Sequence, residues 1–164
     1  MAQNPVVNSE TTIYGDRLEL YFNDKPLAFG KSCSLEITSE TLDTSNKMSG
    51  DWKEFLVGKL SFTLSTDALL TYSDATSLAD VSKFGDLLST MVKRYPISFK
   101  MAKEAEGDTA AKTFVSGKVV ITQLSVQADD GQLATCSISL QGTGELKVGD
   151  DFKGKEIPEA SAEA

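Results

Sequence analysis

Histidine is absent from this 164-residue chain. With it go the commonest general base, the usual zinc ligand and every serine or cysteine nucleophile that relies on imidazole. The two cysteines, Cys33 and Cys136, cannot build a standard zinc site without histidine. Both fall on the apolar side of expected strands, where a free cysteine behaves as a small hydrophobe; a disulfide is the alternative. Positive charge is scarce as well, with 16 Lys and Arg against 24 Asp and Glu and a net charge of −8. Wrapping of nucleic acid is therefore not expected, because phosphate binding needs clustered cations to release counterions. There is no phosphate loop, dinucleotide fingerprint or spaced metal cluster, so no cofactor is expected and enzymatic readings start at a disadvantage. The opening MAQNPVVNSETTIYG lacks a basic start followed by an apolar run, which argues against a signal peptide or a membrane anchor.

What is present is strand alternation. The length fits one domain, and Ser32-Cys33-Ser34-Leu35-Glu36-Ile37-Thr38 places Cys33, Leu35 and Ile37 on one face and small polar residues on the other. Lys59-Leu60-Ser61-Phe62-Thr63-Leu64-Ser65 repeats the pattern, so both read as half-buried strands. A first strand is expected at 17–22, with Leu18, Leu20 and Phe22 buried. It returns through the Asn23-Asp24-Lys25-Pro26 turn and Leu27-Ala28-Phe29. Further strands are expected from 97, at 113–127 and at 132–142, the last two joined by the Asp130-Gly131 hairpin signal. One helix is expected at 77–94, with Leu78, Val81, Phe84, Leu88, Met91, Val92 and Tyr95 on a single core-facing stripe. Ser77 and Asp80 would cap it, Lys93 and Arg94 would complement its C-terminal dipole, and Pro96 would end it.

Three regions read as irregular. Residues 1–15 form a polar arm, 102–112 an exposed hairpin tip, and 146–164 an acidic C-terminal arm of low apolar content. The domain proper then spans 16–145.

The site candidates of conventional chemistry have plainer explanations. Asp129-Asp130-Gly131 supplies too few oxygen ligands for a calcium loop and reads as a turn. Glu104, Glu106 and Asp108 read as a solvated tip. Trp52, the only tryptophan, is a sugar-stacking or contact anchor on one reading and a residue packed on its own domain on the other. The serine and threonine faces need more explanation. Antiparallel sheets commonly leave one face in water, but exposed strands normally carry long charged side chains to block edge pairing. Edges satisfied by neighbouring copies would need only short polar residues.

The residues that carry these features, SCSLEITSETLDTSNKMSGDWKEFLVGKLSFTLSTDALL and GQLATCSISLQGTGEL, resemble the major tail tube protein of long-tailed bacteriophages. The order of elements, with one helix between two halves of a sheet, is similar too. Ala68-Leu69 departs from the family pattern, in which a glycine often follows the aspartate. The resemblance implies a mainly β fold: an antiparallel β-sandwich or barrel-like protomer with one flanking α-helix, assembling into hexameric rings with a continuous inner β-barrel. Stacked rings would form a hollow tube that conducts phage DNA into the host cell, with no enzymatic activity.

Mapped by that resemblance, the lumen wall comprises Ser32, Ser34, Glu36, Ser61, Thr63, Ser65, Ser137 and Ser139. Only Glu36 among these is acidic, so a strongly negative bore would need further acids such as Asp67 or Asp129 from strand ends and turns. The 40–57 segment resembles the loop that reaches the adjoining ring, with Trp52, Phe55 and Leu56 as apolar anchors and Asp43, Lys47, Asp51, Lys53 and Glu54 as polar surroundings. Implied partners are other copies of the chain, the tail terminator, distal tail and tape measure proteins, and double-stranded DNA in passage. Implied location is the virion tail, assembled in the bacterial cytoplasm. The tube of a contractile injection or type VI secretion apparatus is the alternative. A monomeric carbohydrate-binding β-sandwich is a further one, but Tyr14, Tyr21, Tyr72 and Tyr95 are scattered over different elements.

Overall fold

The computed structural model describes residues 18–48, 50–71, 80–103, 112–149 and 152. The expected N-terminal arm, the start of the expected helix at 77–79, most of the 102–112 tip and most of the C-terminal arm lie outside the described residues. Alternating Leu18, Leu20 and Phe22 build β1 (Leu18–Phe22). Asn23 and Asp24, both at positive φ, then reverse the chain into β2 (Lys25–Pro26). Two successive left-handed residues match the twist of the flanking strands. The other elements are β3 (Gly30–Asp43), β4 (Phe55–Leu69), α1 (Phe84–Lys93), β5 (Ile97–Lys103), β6 (Lys112–Gln127) and β7 (Thr135–Val148).

All seven strands lie in one sheet of order β2-β1-β5-β6-β7-β4-β3, with every neighbouring pair antiparallel. Leu20 and Phe22 near one edge share a single core cluster with Phe62, Leu64 and Ala68 near the other, through residues of β5, β6 and β7. One face can gather residues from opposite edges only if the sheet curls. β1 and β3 accordingly line the two sides of one cleft, with Leu18 and Leu20 opposite Ser32 and Cys33. The fold is thus the barrel-like form of the expected architecture, one sheet rolled around one core.

The helix corrects the expected boundaries and orientation. Ser82 is bridged to Leu27, and its hydroxyl donates to the Phe22 and Lys25 carbonyls at 3.3 Å. With Ser82 so anchored, residues 80–83 are not helical, and α1 begins at Phe84. Its leading N–H, on Lys83, donates to Asp86 Oδ2 at 3.3 Å; Asp80 is not the capping acid. Leu87 is buried and Phe84 packs against the core, while Leu88, Val92 and Tyr95 face solvent. The stripe is therefore rotated from the one expected. At the other end Arg94 is left-handed (φ 59°), and the Arg94 and Tyr95 N–H groups donate to the Met91 and Thr90 carbonyls. This is the Schellman closure, with arginine in the position glycine usually fills.

The strands also run further than alternation indicates: β3 reaches Asp43, β4 begins at Phe55, and β7 continues to Val148. Cys33 and Cys136 are free thiols in or against the core, and burial pushes both thiol pKa values up. Phe62 packs against Phe99 with ring centroids 5.8 Å apart. The room for it comes from Gly142, where an added Cβ would lie 2.4 Å from the Phe62 ring. Gly142→Ala must displace that ring or bend β7, and overpacking of this kind costs roughly 1–3 kcal/mol. Urea denaturation is expected to show that loss; an unchanged midpoint would mean the ring has free space to move.

Candidate functional site

Two surfaces stand out. The first is the solvent face of β3, β4, β7 and β6. Strand register sets Ser34 opposite Ser65, Ser65 opposite Ser139, and Ser139 opposite Gln123. The adjacent row is Ser32, Asp67, Ser137 and Ser125, and the next begins Glu36, Thr63 and Gln141. Thr38 and Ser61 pair beyond these. All eight residues expected to form a polar wall, Ser32, Ser34, Glu36, Ser61, Thr63, Ser65, Ser137 and Ser139, therefore share one face.

Several of the hydroxyl groups are satisfied within that face. Thr38 and Ser61 hydroxyls hydrogen-bond each other at 2.8 Å, and Thr122 and Ser125 donate to the Ser139 and Ser137 carbonyls. Gln141 Nε2 donates to the Phe62 carbonyl at 3.0 Å. Side chains that bond along the sheet do not stand out from it, so the wall is flat, polar and low in relief.

Asp67 lies near the end of β4, two residues before Leu69, with β3 on one side of it and β7 on the other. Ser32 Oγ donates to its Oδ2 at 3.0 Å and Ser137 Oγ to its Oδ1 at 2.5 Å. One carboxylate thus links three adjacent strands. Asp129 sits in the turn after β6, where Gln127 Nε2 holds it at 2.9 Å. The β6 contribution, Gln123, Ser125 and Gln127, was not among the expected wall residues, although the alternation Gln123-Leu124-Ser125-Val126-Gln127 contains the signal.

Both borders of the wall are unpaired among the described residues. β3 has β4 on one side and no described strand on the other. β6 has β7 along most of its length, but β5 covers only the part from Lys112 to Val119, leaving 120–127 without a second partner among the described residues.

The second surface is the far end of the β3–β4 hairpin. Asp43 pairs with Phe55, Leu42 with Leu56 and Thr41 with Val57, so the two ends of the expected 40–57 loop are strand and the true loop is 44–54. Asp43, Phe55 and Leu56 accordingly stand in the paired strands; Lys47, Asp51, Trp52, Lys53 and Glu54 stand in the loop. A register shift between Ser39 and Thr41 bends the arm, and Gly58 permits it, since a Cβ there would come 3.1 Å from Glu40 Cβ. The stretch from Ile37 to Asp43 carries the hairpin about 20 Å at the usual rise of roughly 3.3 Å per residue.

Along this arm Ile37, Leu42, Phe55, Leu56, Val57 and Leu60 are exposed, and at its tip Met48 and Trp52 are 94% and 85% exposed. The tip is nonetheless ordered at its base. The Thr44 N–H donates to the Glu54 carbonyl, the Glu54 N–H to Ser45 Oγ and the Ser45 N–H to Asp43 Oδ1, each at 2.9 Å. Hydrogen bonding from the Ser45 side chain and amide holds the Asp43 carboxyl below its ordinary pKa. So many apolar side chains on a rigid projection mark a contact surface, because soluble monomers rarely expose continuous apolar patches of this extent.

A polar wall with unpaired borders and a rigid apolar arm define a structural subunit, a protein whose surfaces are completed by other molecules. The family model for phage tail tube proteins matches residues 24–148. The chain belongs to that family. No curated protein matches it in sequence. Among solved structures it is similar to a chain of the virion of a native gene transfer agent particle, with 18% identity, TM-score 0.63 and coverage of 84% of this chain and 98% of that one. In the C6-symmetric tail of the empty particle the TM-score is 0.61 at the same identity and coverage. The SPP1 tail tube is similar at 17% identity and TM-score 0.61, covering 85% and 80%. A chain of the sheath/tube terminator of an extracellular contractile injection system is similar at 15% identity and TM-score 0.58, covering 86% and 100%. At these identities the likenesses establish the fold.

Asp67→Ala leaves the Ser32 and Ser137 hydroxyls without their acceptor. On this exposed face the expected loss of unfolding free energy is about 1 kcal/mol. A loss too small to measure in urea would mean that water replaces the carboxylate without cost.

Proposed function

We propose that this tail tube protein assembles into hexameric rings that stack as a hollow tube, with the polar wall facing the bore and the apolar arm reaching the adjoining ring. The observation that carries this reading is the pair of unpaired borders on a four-strand wall. Strand direction alternates across β3, β4, β7 and β6, so the free edge of β3 in one protomer is antiparallel to the free half of β6 in the next. Joining them continues the sheet without a break in its alternation. Six protomers give 24 strands, and at about 4.8 Å per strand with a tilt of roughly 40° the backbone radius is about 24 Å. Short hydroxyl side chains then leave space for a DNA duplex. The C6 symmetry of the gene transfer agent tail supports the same count.

Glu36 and Asp67 give each protomer two acids on the wall, and Lys59, on the same alternation of β4, opposes them near the arm. The bore is then weakly negative and mostly neutral, which disfavours DNA adhesion through the absence of cationic clusters more than through strong repulsion. The role is structural, with no catalytic step. Its place is the virion tail, built in the host cytoplasm with the terminator, distal tail and tape measure proteins at its ends and centre. The likeness to a contractile-system terminator favours a second reading, the inner tube of a contractile apparatus, which a neighbouring sheath gene would support.

In the arm, Trp52, Phe55 and Leu56 act as anchors for the next ring, with Lys47, Asp51, Lys53 and Glu54 around them. Trp52→Ala is expected to leave the subunit folded by circular dichroism but to shorten or abolish tubes in negative-stain electron microscopy. Tubes of normal length would refute the assignment of the arm.

A further inference from the structure

Helix α1 carries more apolar surface than its own core uses. Phe84 and Leu87 meet the core cluster. Leu88 and Val92 continue the row that Phe84 begins, at four-residue steps along one face, yet both are exposed, Val92 to 73%, and Tyr95 just past the helix is 66% exposed. The row therefore leaves the core as it nears the start of β5. There Ile97 pairs with Val119, the last residue of β6 that β5 covers, and α1 itself lies against β6. The uncovered flank of the helix thus stands close to the point at which the edge of β6 opens.

That opening is apolar on the strand as well. In the free half of β6, Ile121, Leu124 and Val126 lie opposite the buried Leu140, Ile138 and Cys136 and so occupy the core side of the sheet. Ile121 and Leu124 are only partly buried, and Val126 is exposed. The helix is on this side too, because Leu87 shares one cluster with Leu64, Ile138 and Leu140. A strand that enters beside 120–127 with its polar side in the wall must turn its other side towards α1. In β3 that other side carries Cys33, Leu35 and Ile37. Cys33 and Leu35 pack partly against their own core, whereas Ile37 is 55% exposed.

Register brings Ile37 to the right level. Within one protomer the row through Val120, Gln141 and Thr63 ends at Glu36, so Ile37 stands one residue beyond the level at which the β6 edge opens. An incoming β3 held at that level would end, at Gly30, before reaching Gln127. A stagger towards the arm, of the kind a tilted barrel requires, fills the whole of 120–127 and moves Ile37 into the free half.

We infer that α1 covers the β3 strand of the neighbouring protomer in the ring, with Ile37 of that copy packed on Leu88, Val92 and Tyr95. The contact rests on the ring reading given above. It adds to the backbone joint between β3 and β6 a second, apolar one made by side chains, and it assigns the occupant of the uncovered helix flank as another copy of this chain.

The test places the photoreactive residue p-benzoylphenylalanine at Tyr95 and irradiates tubes assembled from mixed isotope-labelled and unlabelled protein. Cross-links to residues 33–38 are expected, with mixed-isotope pairs among them. Leu88→Gln/Val92→Gln should leave the circular dichroism of the subunit unchanged, since both side chains are exposed there, and should raise the protein concentration at which tubes form by about tenfold or more. If that double variant fails to fold, the cross-link decides, because it alters only an exposed tyrosine. Well-formed tubes whose links stay within one chain or fall outside β3 would overturn the contact and leave the ring reading standing, as would an unchanged threshold in the folded double variant. An unsubstituted chain that stays monomeric at every concentration would overturn both.

Discussion

Unpaired backbone at the two borders of the polar wall is the constraint on which the rest of this structure depends. Every second residue along a strand edge presents both its N–H and its C=O outward, and water must satisfy them until another strand does. β3 keeps such an edge along Gly30–Asp43, and β6 keeps one from 120 to 127 where β5 stops short. Neither stretch contains proline, the residue that would most simply prevent pairing. A monomer gains nothing from leaving two long edges open on either side of a smooth face, whereas a ring closes all of them at once.

The rolled sheet accounts for how those edges come to flank one surface. Its core draws on residues from β1 to β7, so the opposite side of β3, β4, β7 and β6 is left to water. Hydroxyl groups that bond to one another, to backbone carbonyls or to Asp67 fill that side without adding height. Asp67 has a double role here: it ties β3, β4 and β7 together through two serine hydroxyls, and it sets a carboxylate at a fixed position in the wall. The arm is the reverse case. Past Ile37 and Leu60 the hairpin outruns the core, and its apolar residues are left for a partner to cover. The bend at Gly58 and the bonded base of the 44–54 loop restrain its shape.

Much of this was legible in the sequence wherever one face of a strand is buried and the other wet. Cys33, Leu35, Phe62, Leu64, Cys136, Ile138 and Leu140 alternate cleanly with serine and threonine, and the wall followed from that alternation. The signal failed where the burial that produces it fails. In the arm both faces are exposed, so Phe55-Leu56-Val57 is apolar throughout and shows no period of two, and strand read as loop. Asp67 stood among the acids that could add charge to the wall, but its position there was not legible, because its two serine partners are distant in sequence. The helix misled for another reason. Ser77 and Asp80 have capping chemistry, but the buried Ser82 bridge to Leu27 is tertiary, and it fixes both the starting residue and which side of α1 meets the core.

The central claim is that the free edges of β3 and β6 are completed by neighbouring copies. Amide hydrogen exchange, resolved by residue and compared between free subunit and assembled tube, tests it most directly. The account predicts that amides along β3 and along 120–127 of β6, those pointing away from β4 and β7, exchange rapidly in the free subunit. They should become strongly protected on assembly, while residues 112–119, already paired to β5, change little. Edge amides of β3 and β6 that remain unprotected in well-formed tubes would contradict it.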